Sequence, residues 1–494
     1  AVYYNYIESW TLAYSYFSVS GQYAQIDGRN LNEKKNEMER FFREFQGIRP
    51  NVKVPKDIDP QAIVTISECV EPSQVPETLL YNPKIHGEWD PMNPRLDQSK
   101  KPFREVALKG KYFAGNNIAY IFFIITFCLN MYFLYRGLSA GIEQLGKIGM
   151  PLLFVFAIIL AIRVITLGRP EGSAWSIADG FNFLWTPKFG DLGSAAVWLA
   201  AAGQIFFTLS VGQGSIQAYA SYLSEKDDIV LTGLATSSLN EFAEVVLGGT
   251  IAIPAAVAFF GPEMTVSIAK AGSFDLGFQS LPMIFSRISM GWFFGALWFG
   301  LLFIAGITSS VALLTPPITF LKDELKMSHA KAVISLGTLC FVLAHGPVFF
   351  IEHGVVDEID YWAGTFGLVA FAFLEVVLFM WVFGSESAWK EIHRGCDMKI
   401  PKIFQWIMKY LTPTYIFALF LVWGIQDGWS TLVMSAIPVA DRPYIWGTRA
   451  VMLLVIATFM HFIWERFQDQ DKEAPWIPVA MWGFPMMVLV ASYP

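Results

Sequence analysis

The chain has 494 residues, 54% of them hydrophobic and only 16% charged, with a formal net charge of −7. Soluble domains carry about 25% charged residues, so an ordinary soluble fold is excluded, and the acidic balance gives no case for a nucleic-acid partner. Four cysteines, Cys69, Cys128, Cys340 and Cys396, are scattered with neither metal-ligand spacing nor a disulfide framework.

Apolar runs of membrane-spanning length, about 20 residues each, recur along the chain. They lie near Tyr3–Val19, Ile118–Tyr135, Pro151–Leu167, Ala195–Leu223, Ile229–Phe260, Trp292–Leu321, Ala332–Phe350, Tyr361–Phe383, Leu411–Trp423 and Thr448–Trp464. The predicted class is an all-α polytopic membrane protein embedded in a lipid bilayer. Ala1 already sits at the edge of the first run, without an initiator Met or a signal peptide before it, so upstream sequence is expected to be missing.

The first run, YYNYIESW, places Tyr3, Tyr4 and Glu8 in one helix. A tyrosine facing a cavity can donate its hydroxyl to a carboxylate, although such tyrosines more often mark the interfacial aromatic belt. Next comes a polar, proline-rich segment from about Gly21 to Gly115. Asn30–Phe45 reads as an amphipathic surface helix and Val54–Pro94 as an irregular region; nothing in the segment resembles a catalytic constellation. Short basic loops mark the cytoplasmic side: Arg136 with Lys147, Lys322 with Lys326 and Lys331, and Lys390 with Arg394, Lys399 and Lys402. By alternation the 21–115 segment faces outward as a structured external cap.

The run Gly203–Leu223 (GQIFFTLSVGQGSIQAYASYL) breaks at Ser210-Val211-Gly212-Gln213-Gly214. Unwound backbone at membrane depth is tolerated only where it is buried in protein or lines a cavity, and half-helix ends with freed carbonyls are ready ligands for ions and zwitterions. Thr208 and Ser210 flank the break. Alone, such hydroxyls favour close packing or back-bonding; beside Gly212 and Gly214 they favour a cation site built of oxygen ligands. In SSLNEFAEVVLGG, Asn240, Glu241 and Glu244 occupy consecutive turns of an apolar helix, where ionisable groups are costly and functional by default. Met264–Ile284 reads as an external re-entrant or capping hairpin. AGITSSVALL then puts Thr308, Ser309 and Ser310 inside an apolar helix, a third oxygen-rich cluster. Asp323 and Asp360 lie at opposite helix ends, where the solvated reading is the simpler one. The tail Trp476–Tyr493 is apolar, and its topology stays open.

The motifs YYNYIESWTL, GQIFFTLSVGQG, LNEFAEVVLGG, IPAAVAFFG, AGITSS and DYWAGT together resemble those of the neurotransmitter:sodium symporter family, from Ala1 to about Arg466. The resemblance implies a LeuT-type inverted-repeat fold. It makes residues 1–20 the third transmembrane helix, 21–115 an enlarged extracellular loop, 116–466 the fourth to twelfth helices with a hairpin near 264–284, and 467–494 a tail. The first two helices would be lacking. The implied activity is Na+-coupled import of a neutral α-amino acid by alternating access, without enzymatic chemistry, in the plasma or inner membrane. A proton-coupled or Na+-independent permease and a transport-dead sensor are the rival classes on that scaffold.

The resemblance also assigns roles. Tyr4 would donate to the substrate carboxylate, Phe207 would close over the substrate, and Ser210 would meet its amino group through the backbone carbonyl. Thr208 and Asn240 would hold one Na+, and Ala305, Thr308 and Ser309 a second, with Thr208 and Ser309 also touching substrate. Both ion sites would be completed by residues upstream of this chain. Asp360 would be the external gate's acid and Asp323 the internal one, supported by Tyr222. Glu244 would stand in for chloride. Leu313 keeps a pocket position aliphatic, whereas Gln213 replaces an aromatic one, so its amide either meets a polar substrate or points into water. A homodimer is compatible with the resemblance.

Overall fold

The structure, a computed structural model, describes residues 2–26, 31–82, 85, 102–113, 115, 117–193, 195–271, 274 and 276–468. The apolar tail 476–493 lies outside the described residues.

Helix α1 (Tyr4–Ser20) ends at Gly21, whose φ of 72° closes the last turn on the carbonyls of Phe17 and Ser18. A cap follows, built from α2 (Leu31–Phe45), strand β1 (Asn51–Pro55), α3 (Pro60–Ser67) and strand β2 (Phe103–Ala107). Then come α4 (Asn117–Gly137), α5 (Ala140–Ile165) and the short α6 (Ile177–Trp185). The broken pair α7 (Ala195–Thr208) and α8 (Ser215–Ala220) precedes α9 (Ile229–Phe260). A hairpin of α10 (Pro262–Ala271) and α11 (Leu276–Phe285) leads into α12 (Gly291–Asp323). The chain finishes through α13 (His329–Phe349), α14 (Val355–Val382), α15 (Ser385–Ile392), α16 (Ile403–Gln426) and α17 (Arg442–Glu465). Among the described residues, eight helices are long and apolar enough to cross a membrane: α4, α5, α9, α12, α13, α14, α16 and α17.

Helix α1 is central, and even its polar residues Asn5, Glu8, Ser9, Thr11 and Ser18 are buried. Tyr6, Trp10, Ala13, Tyr14 and Phe17 are all fully buried, and the helix packs against α12 and α4. The cap sits on this aromatic column. Phe42 of α2 stacks on Phe278 of α11 with centroids 5.4 Å apart and an interplanar angle of 10°, and Trp10 meets both rings edge-on. Glu44 is buried, yet satisfied: its carboxylate accepts backbone N–H bonds from Lys111 (3.0 Å), Tyr112 (2.6 Å) and Phe113 (3.2 Å), and one from Arg40 Nε at 2.9 Å. Those bonds pin the cap's far end to its helix. The stretch Val54–Pro94, which the sequence reads as irregular, contains α3, and the strands β1 and β2 on either side of it pair antiparallel with Val52 opposite Val106. They enclose a second small core with Val54, Ile66, Val75 and Leu108.

At the opposite end of the chain, α17 is held on α14 by a buried ion pair. Arg449 Nε donates to Glu358 Oε1 at 2.5 Å, its remaining nitrogens donate to the carbonyls of Leu432 (2.6 Å) and Thr431 (2.9 Å), and its guanidinium lies 5.5 Å from the Trp362 ring. Every part of the guanidinium plane is used, which is what a buried arginine requires.

Candidate functional site

The helix break is real in three dimensions. Residues 209–214 are non-helical between α7 and α8, and Ser210, Gly212 and Gly214 adopt φ values of 56°, 78° and 76°. Left-handed backbone suits glycine and is uncommon for serine. Gly212 is also pressed against α14, where an added Cβ would stand 2.4 Å from the Leu368 carbonyl oxygen. The groups freed by the break find partners. Val211 N–H donates to Phe206 O at 3.0 Å and Ser210 N–H to Phe207 O at 3.1 Å. Glu375 of α14 interacts with the Gly212 backbone and the Gln217 side chain. Gln213 turns its amide back to the Phe207 carbonyl at 3.4 Å, so it serves the break itself rather than pointing away from it.

At Thr208, the last residue before the break, α7 meets α9 through a polar cluster. Asn240 Nδ2 donates to Thr208 Oγ1 at 2.7 Å and lies 3.5 Å from Glu244 Oε2. Glu244 accepts from both Thr208 and Gln204. The carboxylate oxygens, the hydroxyl and the amide carbonyl are hard donors of the kind that hard cations prefer. Glu244 lies in a π-helical turn, Phe242–Gly248, within α9; such turns re-aim side chains and recur at functional positions. Glu241, on the same helix, is exposed.

The third cluster lies on α12. Thr308 Oγ1 donates to the Ala305 carbonyl at 2.9 Å, and Ala305 and Ser309 line a cavity of about 370 Å³ with Tyr4 and Glu8 of α1. The Tyr4 hydroxyl interacts with Ser309. Phe278 and Leu281 of the hairpin form the roof. Thus Tyr4 and Ser309 share one cavity, whereas Phe207, Thr208, Ser210, Gln213 and Leu313 are not among its walls. The broken helix packs instead on α14 and α12: Gly214 abuts Pro316, and Tyr219 interacts with Thr315. Leu313 is half-buried on α12.

At the helix ends, Asp360 opens a second π-helical turn, Asp360–Phe366, and accepts from the Tyr3 hydroxyl. The sequence left the tyrosines of this first helix open between the interfacial belt and donation to a carboxylate; Tyr3 donates to Asp360. Asp323 and Tyr222 are both exposed, and no hydrogen bond joins them among the described residues.

Sequence reasoning passed over Gln204, Asn130 and Glu375, each a lone polar residue on an apolar helix, and singled out Ser310 only as part of the Thr308–Ser310 cluster, not as a partner of Glu8. Gln204 lies one turn before Thr208, the one positional signal that would have found it; the others show themselves only when helices far apart in sequence pack together.

Compared with known proteins, residues 112–466 match the Sodium:neurotransmitter symporter family. The chain is 29% identical over 313 residues to an uncharacterized sodium-dependent transporter of Haemophilus influenzae, covering 61% of this chain and 65% of that relative. It is 28% identical over 290 residues to sodium-dependent nutrient amino acid transporter 1 of Drosophila ananassae, covering 57% of this chain and 44% of the relative. The chain therefore spans less than two thirds of the length of these curated relatives. Among solved structures, the crystal structure of MhsT in complex with L-phenylalanine superposes with a TM-score of 0.61 at 22% identity, covering 85% of this chain and 77% of that one. That likeness concerns the fold.

Proposed function

The chain belongs to the sodium:neurotransmitter symporter family, and on that premise we propose that it forms the core of a Na+-coupled symporter that imports a neutral α-amino acid by alternating access. The observation that carries the reading is the Thr208–Asn240–Glu244 cluster at the start of the helix break. Na+ and the amino acid are cargo, and the protein's work is differential binding of that cargo between states.

In this reading Thr208 and Asn240 hold one Na+. Ala305, Thr308 and Ser309 hold the second through a carbonyl and two hydroxyls. Tyr4, already at Ser309 beside the cavity, offers its hydroxyl to the substrate carboxylate. Phe207 and the Ser210 carbonyl face the substrate when α7 closes toward α1. Gln213 secures the Phe207 carbonyl and leaves specificity to apolar neighbours such as Leu313. Glu244 supplies a fixed negative charge next to the first ion, which makes transport chloride-independent. Asp360, with Tyr3 as its partner, gates the outer side, and Asp323 with Tyr222 the inner side.

Reconstitution in proteoliposomes with a panel of labelled neutral amino acids tests this. Accumulation should require an inward Na+ gradient. Uptake that persists when choline replaces Na+ overturns Na+ coupling, and Na+-dependent binding without accumulation makes the protein a sensor.

A further inference from the structure

Glu8 of α1 is 3% exposed and has no role in the ion and substrate sets above. It faces Asn130 of α4 and Ser310 of α12, both fully buried. Ser310 Oγ lies 2.6 Å from Glu8 Oε2 and 2.5 Å from Asn130 Oδ1. Asn130 Nδ2 lies 3.1 and 3.2 Å from the two Glu8 oxygens and 3.1 Å from the Thr126 carbonyl. The Thr126 carbonyl fixes the amide's orientation, since reversing it would set oxygen against oxygen there, and against both Glu8 oxygens as well if Glu8 carried no hydrogen.

The hydrogens can then be counted. The row Glu8 Oε2, Ser310 Oγ, Asn130 Oδ1 contains two short oxygen–oxygen contacts, each needing a hydrogen. Ser310 supplies one. An amide oxygen and an ionised carboxylate are acceptors only, so an ionised Glu8 leaves two acceptors competing for one hydrogen.

We infer that Glu8 is a proton-binding site: its carboxyl is a neutral acid that donates to Ser310, which donates to Asn130, tying α1, α4 and α12 together. Gly306 makes the approach of α12 possible, because a Cβ there would stand 2.9 Å from Glu8 Cγ. No basic side chain interacts with the Glu8 carboxyl among the described residues. Asn130 faces it from α4, Ser310 and Gly306 from α12, and the ionisable group that interacts with it is Tyr4, one turn earlier on α1. Since Glu8 also lines the cavity with Tyr4 and Ser309, the proton is a further ligand of that cavity. Loss of the proton removes one of the two hydrogens of the Glu8–Ser310–Asn130 row and leaves the Asn130 amide as the donor to Glu8. The inference stands independently of Na+ coupling.

Infrared difference spectroscopy on the full chain in lipid nanodiscs tests it without reference to transport. Wild type minus Glu8→Gln at neutral pH should show the C=O stretch of a protonated carboxyl, lost in the variant. Loss of ionised-carboxylate bands alone overturns the inference. Ser310→Ala provides a second reading if Glu8→Gln fails to fold: removing the acceptor of the acid's hydrogen should shift the protonated band. A protonated-carboxyl region unchanged by Ser310→Ala overturns the proposal as well.

Discussion

Asn240 donates to the Thr208 hydroxyl at 2.7 Å, joining the helix that breaks to the helix that carries Glu244. The two residues are 32 positions apart in sequence, and both also meet Glu244. Replacing Asn240 with Ala should raise the Na+ concentration for half-maximal uptake about tenfold, the equivalent of losing ~1.4 kcal/mol of ion binding. Thr308→Ala should do the same at the second set. An unchanged Na+ dependence in both variants contradicts the assignment.

Glu244 binds Thr208 and Gln204 at once. If its charge balances the nearby ion, Glu244→Ser should leave a folded protein whose uptake depends on external chloride. Uptake by this variant in gluconate medium at the wild-type rate would argue that the carboxylate is only a packing partner.

Gly212 combines a φ of 78° with a Cβ position 2.4 Å from the Leu368 carbonyl oxygen. Gly212→Ala therefore meets both backbone strain and a clash against α14, and should destabilise by more than ~1 kcal/mol. Gly190, with nothing within 4 Å of its Cβ position, is the control: Gly190→Ala should leave the thermal midpoint near wild type. Equal midpoints for the two variants would show that the break tolerates a side chain.

Arg449 and Glu358 form a buried pair, so removing one member leaves the other's charge unmatched. Arg449→Met should cost about 3–5 kcal/mol. The double variant with Glu358→Gln should recover a large part of it, since no charge is then stranded. Thermal unfolding in detergent reads both, and additive losses would exclude coupling.

Much of this was legible in the chain itself. Membrane-length apolar runs, the glycine-bracketed break and the carboxylate at Glu244 are local signals, each set by the cost of polar groups in an apolar medium. Tyr222 with Asp323 was not settled by sequence, since solvated helix ends and paired gates look alike there. The cap's sheet was hidden for another reason: β1 and β2 lie about 50 residues apart in sequence, and neither strand is long enough to announce its register.

By itself, then, the sequence determined the class, the placement of the break and the residue types able to bind ions, because helix propensity and hydrophobicity act over a few turns. Only the tertiary structure decided which polar groups meet. It set the Asn240 amide on the Thr208 hydroxyl, brought Tyr3 to Asp360, and turned Gln213 back onto Phe207 O. It also gathered Glu8, Asn130 and Ser310 from three helices into one hydrogen-bonded row. The physical reason is that a buried polar group must find its partner wherever packing brings one within about 3 Å, and that distance is fixed by the crossing of helices, not by their order.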